Sequence, residues 1–250
     1  AQIATDRIND VLIKSNNGNS SQYEQFAASY NTNPDSIINE SFETIDKLLD
    51  LIGINDMPEI YKPIIKRIIH TTGEPEYAKS IIISDGAVEA GIKAIRGGKS
   101  IVTDVNMVKS GISKKILNDF CGNIECKIAD QDVADKAKKT GQTRAITAMN
   151  ESITEMENGI VAIGNAPSAL FHVVDLVKQG KANPALIVGV PVGFVGAAES
   201  KAVLRMTKVP HITNIGRKGG SPVAVTIVNA ILNMAKDCIQ YPVVRSQNPE

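Results

Sequence analysis

Three histidines stand in the chain, His70, His172 and His211, and histidine is the side chain whose ordinary pKa, about 6.5, suits proton exchange near neutrality. His70 is the one placed for chemistry. It closes an apolar periodic stretch, is followed by two hydroxyls and a glycine (HTTG, 70–73), and precedes the first strand-like run. A side chain at such a junction can reach over the ligand edge of a sheet. His172, behind Phe171 inside a helical stretch, reads as a packed or surface side chain, and His211, after Pro210 at a strand start, as structural. Ser41, Thr103, Asp104, Thr143, Arg144, Asn165, Lys201, Arg217 and Lys218 form a second group, all near element ends. Taken singly, each is better read as a cap or a solvated side chain. Taken with the backbone N–H groups of Gly164, Asn165 and Ala166 and of Gly193, Gly196 and Ala197, they can bind several carboxylates. The glycine and alanine density at Gly189, Gly193, Gly196, Ala197 and Ala198 lets a broad, flat ligand approach the backbone closely. The chemistry these residues suit is a site for a bulky polyanion, with one histidine poised as acid or base.

Other chemistries fail on spacing. Gly97-Gly98-Lys99-Ser100 invites a phosphate-loop reading, but Lys93 stands where that motif needs its first glycine, and a strand follows where it needs a helix. No G-x-G-x-x-G follows a strand, and there is no H-E-x-x-H, C-x-x-C or G-x-S-x-G. Scattered histidines offer no metal cage. We expect no metal site and no cofactor.

The elements that must position these residues centre on Gly159 to Lys201, two copies of one device. Ile160 to Ile163 and Leu186 to Val192 are uncharged, β-branched runs that end in a glycine turn and enter a helix at once, the first with Pro167 at an early helical position. Strands without polar alternation are buried on both faces, as in a parallel sheet covered by helices. Ligands of such sheets lie beyond the carboxyl ends of the strands. Upstream, Asn33 caps a helix with Pro34 at its first position and one apolar face (Ile37, Ile38, Phe42, Ile45, Leu48, Leu49, Ile52), which carries Ser41. A second helix runs from about Pro58 to Ile69, and Gly73 suits a left-handed stop. Strands follow at 81–84, 101–104, 123–129 and near 211–215. Helices are expected at 85–95, 132–139, 143–157 and 221–237, with a turn through 107–111. Residues 1–33 are a polar extension with a short helix and a loose segment. Residues 34–250 form a single α/β domain, a three-layer, doubly wound parallel sheet with extra N-terminal helices.

Composition narrows the partners. Lys+Arg and Asp+Glu both number 27, so no charge excess recruits nucleic acid or an anionic membrane. Aromatics are 4% and Trp is absent, which disfavours a base-stacking platform. The uncharged run 183–198 is too short to span a bilayer, and Pro184 and Pro191 interrupt it. The N-terminal AQIATDRIND lacks a basic-then-apolar leader pattern. Cys121, Cys126 and Cys238 read as small buried hydrophobes in a reducing compartment. A soluble cytoplasmic protein is expected.

At this point six segments carry a resemblance: IIHTTGEPEYA around His70, VTDVNMVKSGI (102–112), GQTRA (141–145), VAIGNAPSALF (161–171), VGVPVGFVGAAESK (188–201) and GRKGGSPVA (216–224). In order and spacing they resemble the precorrin-8X methylmutases, especially the cobalt-precorrin-8 branch. The resemblance implies a flavodoxin-like homodimer and an isomerase of cobalamin biosynthesis. Such an enzyme takes a tetrapyrrole substrate to a corrin product by moving a methyl group between adjacent ring-C carbons, with cobalt present only if the substrate carries it. It also implies that His70 is the catalytic proton donor, and that Ser41 and Arg144 fall on the family's serine and arginine motifs. Glu40 departs from the basic residue that the family has before that serine. A different class of function, a corrinoid-binding or hand-over protein, would favour the same rigid flat pocket. A nucleotide-dependent enzyme with an atypical loop is a weaker third reading.

Overall fold

Runs of Ile and Val with no polar alternation need apolar cover on both faces, and the fold supplies it. The structure, a computed structural model, describes residues 32–54 and 57–237. The short helix and loose segment expected at the N-terminus lie outside the described residues up to residue 31, as does Cys238. The chain divides into two compact units, Ala1–Thr44 and Ile45–Glu250. Helix α1 (Pro34–Leu51) starts where expected: Asn33 Oδ1 accepts from the N–H groups of Asp35 and Ser36 at 3.0 and 3.1 Å. Ser41 lies on this helix within the first unit.

In the second unit six strands, β1 (Ile81–Ile83), β2 (Ile101–Thr103), β3 (Ile124–Glu125), β4 (Ile160–Ile163), β5 (Leu186–Gly189) and β6 (His211–Asn214), form one sheet in the order β1-β6-β5-β4-β2-β3. Every pair is parallel except β1 with β6, where Ile81 lies opposite Asn214 and Ile83 opposite Ile212. The parallel sheet expected throughout therefore gains an antiparallel edge. β1 and β2 are not neighbours, so the crossover rule that fixes direction inside βαβ units does not act on β1.

Alternation along the strands feeds two cores. Ile160, Ala162, Leu186 and Val188 face α2 (Lys62–Thr72), α3 (Ala87–Arg96), α4 (Asn106–Gly111), α5 (Lys114–Asn118) and, after β6, α11 (Ser221–Asp237), through Ile64, Ile68, Val88, Ile95, Val228 and Ile231 among others. Val161, Ile163 and Ile187 face the opposite layer, α6 (Gln131–Thr140), α7 (Arg144–Asn150), α8 (Ile153–Met156), α9 (Pro167–Lys178) and α10 (Ala197–Arg205), through Val133, Met149, Leu170, Val173 and Leu204. The sheet is thus flanked by helices on both faces.

Local chemistry sets the boundaries that differ from expectation. The helix expected over 143–157 is two, α7 and α8. Ser152 turns its hydroxyl back to the carbonyl of Ala148 at 2.9 Å and leaves helical geometry (φ −111, ψ 12). The turn at 107–111 tightens into α4, and α5 follows behind Ser113, whose hydroxyl accepts from the N–H of Ile116. The expected 123–129 strand shrinks to two residues at the sheet edge, with β2 its one neighbour. The second helix opens as a 3-10 turn, Glu59–Tyr61, and α2 then runs on to Thr72, where Gly73 at φ 65 donates its N–H to Ile69 and stops it.

Candidate active site

The carboxyl ends of β2, β4, β5 and β6 open on one edge of the sheet. The chain leaves β2 towards β3 on one side and continues through β4, β5 and β6 on the other, so the crevice of a doubly wound sheet falls between β2 and β4. Both glycine turns lie on this edge.

They are not equivalent. At the β4–α9 turn the buried carboxylate of Asp104, from the end of β2, accepts from the N–H of Gly164 at 3.0 Å, of Asn165 at 2.8 Å and of Ala166 at 2.7 Å. Burial raises the Asp104 carboxyl above its ordinary value, while those backbone donors pull it the other way. The expectation that these N–H groups receive a ligand's carboxylate is corrected, because they already hold one from the chain. Thr103, also buried, donates to the carbonyl of Glu125 at 3.2 Å, tying β3 to β2 and not facing a ligand. Gly164 fits because a Cβ there would lie 2.7 Å from Cα of Ser221.

The β5–α10 turn is open. Phe194 is 87% exposed and Val195 88%, and Val192 is exposed beside them. The N–H of Gly193 donates to the carbonyl of Arg217 at 3.1 Å. The Arg217 guanidinium lies 5.5 Å over the Phe194 ring centroid, a cation–π pair on the surface. Gly196, in the left-handed region at φ 76, starts α10 ahead of Ala197. Met107, after β2, and Ile215, after β6, add exposed apolar surface to the same edge. The sequence signal for Val192, Phe194 and Val195 is an uncharged tract running past the end of a buried strand, which marks backbone space for a ligand as readily as a contact surface.

Lys201 is 1% exposed, and its ammonium points inward, donating to the carbonyl of Lys218 at 2.6 Å and to Asn214 Oδ1 at 3.2 Å. Burial lowers its pKa to about 8. The expectation of a direct contact from Lys201 to a ligand carboxylate is therefore replaced by an internal one. Thr143 accepts from the N–H of Ile146 at 3.2 Å as the cap of α7, with Ser168 Oγ at 3.4 Å, and leaves Arg144 exposed at the first helical position.

His70 is exposed in the last turn of α2. Two contacts fix that helix end against the ligand edge: Thr71 Oγ1 lies 2.7 Å from Thr226 Oγ1 on α11, and Glu74 forms an ion pair with Lys218 of the β6–α11 loop. The other histidines behave as read from sequence. His172 Nε2 is 2.7 Å from Asn150 Oδ1, with burial lowering its pKa, and buried His211 places Nδ1 2.8 Å from the carbonyl of Val209. Among the described residues no group of three His, Cys, Asp or Glu side chains can hold a metal ion, and no helix is long and apolar enough to cross a membrane. Cys121 and Cys126 are free thiols.

The precorrin-8X methylmutase family matches residues 36–234. A cobalt-precorrin-8 methylmutase of Priestia megaterium is 45% identical over 208 residues, which is 83% of this chain and 91% of that one. Its counterpart in Methanocaldococcus jannaschii is 46% identical over 205 residues, 81% of this chain and 94% of that one. A precorrin-8X methyl mutase from Thermus thermophilus has a solved structure that superposes with a TM-score of 0.75 at 36% identity, over 81% of this chain and 97% of its own. A strand-end edge with a histidine, exposed apolar turns and basic residues, on a chain similar to these proteins over most of its described length, leads to one assignment: the chain belongs to the precorrin-8X methylmutase family.

Proposed function

We propose that this isomerase of cobalamin biosynthesis moves a methyl group between adjacent ring-C carbons of a precorrin-8-type tetrapyrrole, with His70 as the proton donor. The observation that carries the reading is the composition of one edge. Met107, Val192, Phe194, Val195 and Ile215 offer apolar surface there, Arg217 stands over Phe194, and the histidine-bearing end of α2 is fastened alongside through Glu74 and Lys218. A macrocycle with an apolar face and peripheral carboxylates needs those two kinds of surface together. The finer fold label is flavodoxin-like, supported by the order β3-β2-β4-β5-β6 of the parallel strands. The cobalt-bearing substrate is favoured, since the relatives at 45% and 46% identity are named for it. Arg144 and Arg217 are assigned to ring carboxylates and Ser41 to the substrate. The working form is a cytoplasmic homodimer.

A 1,5-sigmatropic methyl shift needs no second substrate and no change of oxidation state. Protonating the conjugated ring gives the migration terminus cationic character and lowers the barrier. One well-placed general acid is typically worth about 10²–10⁴-fold, and holding the ring against a fixed face contributes orientation and water exclusion. His70→Ala should lower turnover by roughly that 10²–10⁴-fold while ring binding persists, followed by the absorbance change on conversion of precorrin-8 with and without cobalt. Wild-type protein that binds the ring and never converts it would instead support the hand-over reading.

A further inference from the structure

The mechanism leaves the buried Lys201 without a task. Lys201 is 1% exposed, on the inner face of α10, and among the described residues no carboxylate pairs with it. An ammonium removed from water without a counter-ion costs free energy that a methionine of similar length would not. What the fold obtains in return is visible at the other end of the side chain. Lys201 Nζ donates to the carbonyl of Lys218 at 2.6 Å, and the same carbonyl accepts from Asn214 Nδ2 at 2.8 Å, while Asn214 Oδ1 accepts from Lys201 at 3.2 Å. These three groups close a triangle under the 215–220 loop.

Around it the loop is held at several more points. The carbonyl of Arg217 accepts from Gly193, the side chain of Lys218 pairs with Glu74, and the N–H of Gly220 donates to Val190 at 2.8 Å. Gly219, at φ 151, passes so close to β5 that a Cβ would sit 2.2 Å from the carbonyl oxygen of Val190. The carbonyls of Arg217 and Lys218 and the N–H of Gly220 are thus committed, and the exposed Arg217 guanidinium lies over the Phe194 ring.

We infer that Lys201 is a positioning residue, whose buried ammonium and the Asn214 amide together fix the 215–220 loop so that Arg217 and Phe194 present one preset face to the ring. This rests on the function proposed above for that face. The arrangement does not depend on the protonation state. Burial brings the Lys201 pKa to about 8, but a neutral amine keeps two N–H groups, enough for both acceptors.

The experiment uses Phe194→Trp as a reporter, in a chain that has no other tryptophan, with Lys201→Met and, separately, Asn214→Ala added to it. Both should lower the fluorescence anisotropy of the indole, because the loop and its cation–π partner loosen and the ring rotates more freely. In the background without the reporter, both should raise KM about tenfold and leave kcat within about threefold, with an unchanged pH profile, since uniform binding is lost and the proton donor is not. Either variant suffices if the other does not fold. A lower melting temperature with anisotropy and KM unmoved would reduce Lys201 to a structural lysine and overturn the inference. A collapse of kcat with the reporter unmoved would overturn it in favour of direct catalysis. Should the reporter respond while wild-type protein binds no corrin, the positioning stands and the proposed function is what fails.

Discussion

The β4–α9 and β5–α10 turns look alike in sequence, each a buried β-branched strand, a glycine and a helix, and the molecule uses them in opposite ways. The first is filled from within: a carboxylate 60 residues away occupies its three N–H groups, and the positive end of α9 is neutralised before any ligand arrives. The second is left open, with Phe194 and Val195 in solvent and its loop neighbour fastened from below by a cation. The difference shows that a helix N-terminus at a strand end is a site only if the fold has not already supplied the anion. One turn is closed from within the fold, and the other leaves an apolar surface open to solvent.

The sharpest way to break that contrast is to empty the filled turn. Asp104→Ala leaves the N–H groups of Gly164, Asn165 and Ala166 without their acceptor, and each buried donor left unmatched costs about 1–3 kcal/mol. Water can reach part of this turn, so the expected loss is about 2–4 kcal/mol in chemical denaturation rather than the full sum. Asp104→Asn should lie between the two, since one carbonyl replaces two oxygens and the new NH2 faces a donor. If Asp104→Ala melts with wild type, the turn is not held from β2 and the two turns are alike after all.

A second effect, one of pH, separates the buried charges behind the turns. The Lys201 pKa falls from 10.5 unfolded to about 8 folded. Above pH 8 the folded protein releases this proton while the unfolded chain keeps it up to pH 10.5, so the unfolded state binds more protons and stability from this group rises with pH across that window. Below pH 8 both states are protonated and the contribution is flat. Denaturation midpoints of wild type and Lys201→Met, compared from pH 7 to 10.5, should therefore converge in favour of wild type as pH rises. Parallel curves would mean that the lysine is not desolvated.

Much of this architecture was legible because burial writes itself into composition. Strands β4 and β5 contain no charged residue, Pro167 marks the start of α9, and Gly73 the end of α2. Because β1 runs antiparallel to β6, His70 comes to the edge where the other strands end, whereas a helix stop before a parallel strand lies at the opposite edge, so only its place at a helix end was legible. The direction of β1 was not, because nothing local distinguishes an edge strand that pairs parallel from one that pairs antiparallel. Asp104 and Lys201 suit ligand contacts by their place at element ends, yet a polar residue there reads the same whether its partner is a substrate or a turn 60 residues on. Lys201 was hidden further by its helix, where a lysine ordinarily marks the wet face. Phe194 is hidden for the opposite reason: an aromatic in an uncharged tract has the pattern of core, and here it is 87% exposed.

The smallest change in stability belongs to that residue, and it is the cleanest test of what the open turn is for. Phe194 makes one described ring contact, with Arg217 at 5.5 Å, and buries little of itself. Phe194→Ala should therefore shift unfolding by no more than about 0.5 kcal/mol, as surface substitutions do. In the complex, however, the ring face and the guanidinium stacked on it would both be desolvated against a macrocycle, a setting in which a cation–π contact reaches about 2 kcal/mol and aromatic anchors dominate affinity. Corrin product titrated into the variant should bind about tenfold or more weakly, by absorbance or calorimetry, while the fold is unchanged. Phe194→Tyr, which keeps the face, should bind within about threefold of wild type. An alanine variant that holds the product as tightly as wild type would show that the exposed aromatic is not where the ring rests. The open turn would then need a different occupant, while the carboxylate-filled one would stay closed from within the fold.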